Sequence, residues 1–383
     1  METTHAYTWT GKNRIERLEL PMPQTPPGGL LLEVTANGIC GTDQHLISRE
    51  PRRPTVLGHE IVGRVVSFGA GHPQRDADDR PLREGDTVAL FPWVPCHTCW
   101  ACRRFGPGAA TCTEAFVYGI PLEDIGLEGG VTSMSGDGPA LTGGLGRHIA
   151  VQAGTYLWRV PEHVPTTVAS LLDPLGVAVR AVDLARTNSG SWDETLTSDA
   201  TAVVLGAGAV GLLTAMVLRH VGVGKVVVSG SRPGRIQAAR DVGVDVVLDT
   251  AGSDAATRRK AVLDLTQGRG ADLVIDAASR PAALSEALGM VRRLGTVIEV
   301  GNIVPGDHGI TIDPALDVCQ RNIRLIGMSF NPPRSYAEGM ALLTQHDKIP
   351  FERLITHAHP FTAIDRALED LTGDDTVKVT LTV

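Results

Sequence analysis

Aromatic side chains are scarce in this sequence, at 4% of residues, so the interior has to be assembled mostly from aliphatic groups and alanine. Positive charge is not in excess either: 35 Lys and Arg stand against 43 Asp and Glu, a net charge of −8. With no Lys/Arg stripe, that balance argues against a surface built for nucleic-acid phosphates or anionic lipid. The first twenty residues hold no apolar stretch of the kind that opens a secretory signal, so a cytoplasmic location is expected. Long hydrophobic runs are missing too, with one exception. The uncharged run 200–218 is about long enough to cross a bilayer, but it carries Gly206, Gly208 and Gly211 at a spacing that a soluble fold explains. No membrane span is expected.

A chain of 383 residues suggests two domains at roughly 100–200 residues each. Up to about residue 170 the texture is that of irregular β structure. Short apolar runs such as 30–34 and 60–67 are separated by Gly and Pro turns, and helical periodicity is rare. From about residue 200, strand-like runs (TAVVLG, KVVVSG, DVVLD, DLVIDA, TVIEVG) alternate with segments of helical pattern at 210–220, 235–242, 256–266 and 282–293. That alternation predicts a parallel sheet covered by helices on both faces. After about residue 324 the chain returns to short strands with one helix at 335–345 and ends in KVTLTV. The expected organisation is a first domain over 1–175, a second over 176–325, and a return to the first over 326–383.

Gly206, Gly208 and Gly211 form G-x-G-x-x-G directly after the strand TAVVL and at the head of an apolar helix, the context a dinucleotide site needs. The three glycines serve a tight turn, close approach of pyrophosphate, and close packing of helix on strand; the helix N-terminus around Ala209 and Val210 offers N–H groups to the phosphates. The next strand ends in Gly230, followed by Ser231 and Arg232, where an NAD-specific site would place a carboxylate. Arg232 or Arg235 could pair with a 2′-phosphate, so NADP(H) is expected, with NAD(H) as the alternative if these arginines are only surface charges.

Four of the six cysteines fall within seventeen residues as Cys96-x2-Cys99-x2-Cys102-x9-Cys112, in a lobe spanning about 92–115. Without a secretory signal, such clustering favours a closed tetrahedral zinc site over a disulfide framework, and a closed site carries no chemistry. A second, open site is assembled from scattered residues: Cys40 in GICGTDQH, His59 and Glu60 in VLGHEIVG, and Asp173 in LLDPLGV. A thiolate, an imidazole and a carboxylate together would leave a zinc position for water or substrate. Each of these residues alone is weak; their co-occurrence with the glycine motif and the lobe gives them value.

With these residues in hand, the sequence resembles the zinc-containing medium-chain dehydrogenase/reductase family, in its polyol and threonine dehydrogenase-like branch. The resemblance runs through GxCGTDxH at 38–45, GHE at 58–60, the four-cysteine lobe, the glycine pair and histidine at 143–148, Asp173-Pro174, GAGxVG at 206–211, GADLVIDA at 270–277, GTVIEVG at 295–301 and LITHAHP at 354–360. It implies an α/β fold: a GroES-like, β-rich catalytic domain with a Rossmann-type, doubly wound cofactor domain. It also implies two zinc ions per chain and hydride transfer between a nicotinamide dinucleotide and an alcohol or carbonyl compound; the aromatics at the expected cleft walls suit a secondary alcohol. Carried over by position, Cys40 and His59 match catalytic zinc ligands, Asp173 the third ligand, and Glu60 a carboxylate that ligates in some members and stands behind the metal in others. Thr42 matches the hydroxyl on the substrate oxygen and His45 the relay to solvent. Assembly as a homodimer or homotetramer is implied as well.

Three departures bear on these expectations. The Cys102–Cys112 gap is longer than usual; Gly41 stands where some members carry a pyrophosphate-binding arginine; and Asp173 is shorter than the glutamate common in polyol enzymes. The competing readings are a zinc-free quinone or enoyl reductase, which would lack Cys40 and the lobe, and a protein of this fold without turnover, which Thr42 and His45 disfavour. Substrate walls are expected from 91–94, 116–126 and 329–334, with Phe91, Trp93, Phe116 and Tyr118, and from an extra loop at 120–141.

Overall fold

The computed structural model describes residues 2–106, 112–125, 141–186, 196–303 and 309–383. The chain divides into two compact units. One holds Met1–Gly176, Phe330–Gly373 and Lys378–Val383; the other holds Val177–Ser329 and Asp374–Val377. Residues 326–329 and Asp374–Val377 therefore cluster with the second unit, whereas the sequence expectation placed all of 326–383 in the first.

The first unit is built around the strand Leu30–Ile39. Leu30, Leu32, Val34 and Ala36 alternate along it and are fully buried, the period that a strand requires to put one face into a core. Leu30, Leu32 and Val34 pack with Ile61, Val65, Val88, Ile149 and Val151 from neighbouring strands. Each such side chain removed from water contributes about 1.5–3 kcal/mol, which lets aliphatic residues do what the few aromatics cannot. The strand pairs antiparallel with Glu60–Phe68, with His148–Val151 and with the C-terminal strand Lys378–Thr382. The register sets Gly38 opposite Glu60 on one side and opposite Thr380 on the other. Residues from three distant parts of the chain thus meet where Ile39 leaves the sheet and Cys40 begins the helix Gly41–Ile47.

The second unit is a six-stranded, all-parallel sheet with strand order 246–249, 225–230, 201–205, 271–276, 291–299, 324–327. Helices connect the strands, and every residue of Thr201–Leu205 is buried, as a strand covered on both faces must be. Counted along the chain this order is 3-2-1-4-5-6. It reverses between Thr201–Leu205 and Ala271–Asp276, the point at which doubly wound sheets open a crevice for ligand. The helix expected at 282–293 ends earlier, as Pro281–Met290, because Val291 is buried and already pairs with Ala271 in the sheet. The helix Leu172–Arg186 has no counterpart in the sequence expectation; Pro174 sits in its first turn, where a missing N–H costs nothing.

Candidate metal and dinucleotide sites

In the lobe, the ligand atoms of Cys96, Cys99, Cys102 and Cys112 all lie within 4.8 Å of one another. Backbone N–H groups aim at the sulfurs: Thr98 and Cys99 donate to Cys96 Sγ at 3.4 and 3.2 Å, and Cys96 donates to Cys112 Sγ at 3.3 Å. The Cys102 N–H holds the Cys99 thiol down at about 6, while burial pushes Cys102 up to about 12. Cys99 and Cys112 Sγ are 4.0 Å apart. That is too far for a disulfide of about 2.05 Å, and near the ~3.8 Å between sulfurs that each lie ~2.3 Å from one tetrahedral ion. The donor set fits zinc. Residues 107–111, within the expected lobe, lie outside the described residues.

The other group of ligand atoms brought within 4.8 Å, among the described residues, comes from Cys40, His59 and Glu60. Cys40 caps the helix Gly41–Ile47, and Asp43 on its first turn accepts the Cys40 N–H at 2.9 Å. The other Asp43 oxygen faces His59 Nδ1 at 3.6 Å; both atoms are buried, and neither has a hydrogen-bond partner among the described residues. Burial acts to lower the His59 pKa, but Asp43 and Cys40 outweigh it and hold the value well above 6.5. The surroundings therefore favour positive charge at this point, and a soft thiol, an imidazole and a carboxylate suit zinc. Thr42 is half-buried, with Oγ1 3.7 Å from Cys40 Sγ; His45 is exposed on the last turn of the same short helix.

Glu60 is buried and reaches across Gly38: a Cβ there would stand 2.0 Å from Glu60 Oε2, so only glycine leaves the carboxylate its path. Lys378 Nζ pairs with Glu60 at 2.5 Å and also donates to the Ile39 carbonyl at 3.0 Å. Burial acts to lower the Lys378 pKa, but Glu60 and Cys40 reverse this and keep it raised. Asp173 does not belong to the group of three ligand atoms; Tyr336 donates its hydroxyl hydrogen to Asp173 Oδ1. The contacts of the pair-and-histidine motif at 143–148 are with Asn37 and Thr4. Gly144 packs where a Cβ would meet Asn37 Oδ1 at 1.9 Å, and His148 Nδ1 bonds to Thr4 at 2.8 Å.

At the glycine turn, Gly206 has φ +104°, a conformation open chiefly to glycine, and a Cβ on Gly211 would stand 1.8 Å from the Gly206 carbonyl. Gly208 caps the helix Ala209–His220. Arg235 leans over this turn: its Nη1 is 3.7 Å from where a Gly208 Cβ would be, and its Nε donates to the Thr376 carbonyl at 2.6 Å. Burial, with Arg232 nearby, lowers the Arg235 pKa to about 10. Arg232 caps the helix Pro233–Asp241, and Ser231 before it is exposed.

The expected substrate walls divide. Phe91 and Tyr118 are fully buried core residues; Phe91 packs edge-on against Tyr336 at 4.7 Å. Trp93 and Phe116 are half-buried, and Trp93 meets Phe330 at 4.1 Å. Most of the 120–141 loop (126–140) lies outside the described residues. Three residues escaped sequence reasoning: Asp43, Lys378 and Tyr336. Asp43 had a legible signal, an acid at the third position of a helix that follows a candidate ligand. Lys378 and Tyr336 had none, since only folding brings them near Glu60 and Asp173.

Two family descriptions match this chain without overlap: "Alcohol dehydrogenase GroES-like domain" over residues 26–162 and "Zinc-binding dehydrogenase" over residues 209–345. The chain is 27% identical over 374 residues to 5-exo-hydroxycamphor dehydrogenase of Pseudomonas putida, covering 96% of each protein. It is 28% identical over 371 residues to L-threonine 3-dehydrogenase of Pyrococcus horikoshii, covering 95% of this chain and 94% of that one. An alcohol dehydrogenase from Thermotoga maritima shares the fold with a TM-score of 0.86 at 26% identity, covering 100% of both chains. A GroES-like unit carrying thiol, imidazole and carboxylate donors, a doubly wound sheet with its glycine turn, and these matches lead to one conclusion: the chain belongs to the zinc-containing medium-chain alcohol dehydrogenase family.

Proposed function

We propose that this dehydrogenase moves a hydride between a secondary alcohol, or its ketone, and NADP(H), with two zinc ions per chain. The observation that carries the reading is the convergence of Cys40, His59 and Glu60 to within 4.8 Å at the end of the central strand. Cys40, His59 and one carboxylate, Glu60 or Asp173, hold the catalytic ion; the four lobe cysteines hold the structural one. Zinc in the first site supplies a Lewis acid that eases loss of the substrate hydroxyl proton, and the nicotinamide supplies the hydride acceptor.

The chain's own residues do the rest. Asp43 turns His59 so that Nδ1 faces a carboxylate and Nε2 is offered to the metal. Thr42, beside Cys40, would accept the substrate's hydroxyl hydrogen and give up its own to the ribose hydroxyls of the bound dinucleotide, from which His45 would pass a proton to solvent. Gly206, Gly208, Ala209, Val210 and Gly211 cradle the pyrophosphate. Arg235, with Ser231 and Arg232, takes the 2′-phosphate; no carboxylate at Gly230 opposes it. The secondary alcohol rests on the relatives' names, hydroxycamphor and threonine 3-dehydrogenase, both of which point to secondary hydroxyls. Assembly as a dimer or tetramer is supported by the sheet's edge strand Arg324–Gly327, where Leu325 is 39% exposed. Among the described residues no helix is long and apolar enough to cross a membrane, in keeping with a cytoplasmic enzyme.

The test is to purify the protein without chelator, measure bound zinc, titrate NADPH and NADH by nicotinamide fluorescence, and assay secondary alcohols. About two zinc ions per chain and tighter NADPH binding are expected. One zinc retained after Cys40→Ala, with activity lost, assigns the second ion to the Cys40 site. A fully active Cys40→Ala enzyme would end the scheme.

A further inference from the structure

Besides Asp43, which braces Cys40 and His59 from behind, two carboxylates border the site, and the structure gives each a different partner. Glu60 is paired with the ammonium of Lys378 and lies in the path that Gly38 leaves open, with its oxygen inside the group of three ligand atoms. Asp173 lies outside that group and accepts the hydroxyl hydrogen of Tyr336. Tyr336 has little freedom. It is fully buried, edge-on to Phe91 at 4.7 Å and stacked on Trp158 at 5.8 Å. A Cβ at Gly176 would stand 2.8 Å from its ring, so that glycine, one turn beyond Asp173, lets the ring lie against the helix. The phenol hydrogen of Tyr336 is directed to Asp173 Oδ1.

We propose that Tyr336 is a positioning residue that holds Asp173 outside the metal's coordination sphere, so that Cys40, His59 and Glu60 complete the site. The inference rests on the zinc reading above and refines it. An aspartate arm has a single methylene, so anchoring one oxygen to a ring locked in the core restrains the carboxylate from swinging inward. A hydrogen bond from outside to a carboxylate beside a metal commonly tunes affinity about 10–100-fold. Here the bond selects which carboxylate binds.

The experiment loads the wild-type protein, Tyr336→Phe, Asp173→Asn and the double variant with cobalt(II). Its visible absorption reports ligand number and geometry, and the four-thiolate lobe cancels in difference spectra. Asp173→Asn is expected to keep two metals and the wild-type spectrum, with chelator resistance falling no more than about 10–100-fold. Tyr336→Phe is expected to keep two metals with a shifted spectrum, because the freed Asp173 enters the sphere. The double variant is expected to regain the wild-type spectrum. An Asp173→Asn protein that loses its second metal, or a Tyr336→Phe spectrum identical to wild type, overturns the inference. A wild-type protein that takes up one cobalt overturns the Cys40 site itself, and this inference with it.

Discussion

One oxygen of Asp43 stands 3.6 Å from His59 Nδ1 while the other accepts the Cys40 N–H at 2.9 Å. One carboxylate, 1% exposed, thereby orients two candidate ligands that are nineteen positions apart. Asp43→Ala is expected to weaken zinc at this site by about 10–100-fold without emptying the cysteine lobe, read by competition with a chelator. Unchanged retention would show that Asp43 only caps its helix.

The Glu60–Lys378 pair makes a second prediction. Both side chains are almost wholly buried, so removing one partner strips the other of its contacting counter-charge. Lys378→Met should cost about 3–5 kcal/mol in urea unfolding of the metal-free protein, and adding Glu60→Gln should recover most of it. Additive losses in the double variant would contradict an ion pair.

Arg235 offers a direct check of cofactor choice. A charge-assisted bond to a phosphate is worth about 1.5–3 kcal/mol, so Arg235→Ala should weaken NADPH about 10–150-fold and NADH far less. Equal losses for both dinucleotides would move Arg235 to the pyrophosphate.

His45 is exposed, so buffer can take over the proton transfer proposed for it. His45→Ala should slow turnover by less than the roughly 10²–10⁴-fold typical of a buried acid–base group, and added imidazole should restore part of the rate. Thr42→Val should lose more, with no rescue.

In the second unit, Asp276 is buried at the end of its strand and pairs in register with Glu299. Asp276 Oδ2 and Glu299 Oε2 are buried without an N–H donor among the described residues; Oδ1 accepts the Ala278 N–H at 2.9 Å, and Arg280 is the nearby cation. Burial first, then Glu299, raises the Asp276 pKa from 3.8 to about 8. The unfolded chain releases this proton near pH 4 and the folded chain keeps it to about pH 8. The stability tied to the protonated group is therefore full below pH 4, declines as pH rises toward 8, and is flat beyond. Asp276→Asn should consequently gain in melting temperature over wild type as pH goes from 5 to 8. A pH-independent difference would show that Asp276 ionises normally.

Much of this was legible in sequence because it is local. The four lobe cysteines lie within seventeen residues, and Gly206, Gly208 and Gly211 within six, so covalent geometry alone nearly places them together. The alternation of strand and helix after residue 200 likewise foretold the parallel sheet, since each buried strand and amphipathic helix is a short-range pattern. The helix Leu172–Arg186 escaped because Pro174 and Gly176 look like breakers; Gly176 is tolerated because Tyr336 fills the space that its side chain would occupy.

Sequence alone determined the donor types, the cofactor turn and the family. Only the tertiary structure decided which partners meet. Lys378 reaches Glu60 across 318 positions and Tyr336 reaches Asp173 across 163, because sheet register sets the C-terminal strand beside residues 36–39 and core packing sets Tyr336 against the helix that carries Asp173. No spacing rule encodes such pairs. They follow from which strands share hydrogen bonds and which faces share a core, and those are properties of the folded chain as a whole.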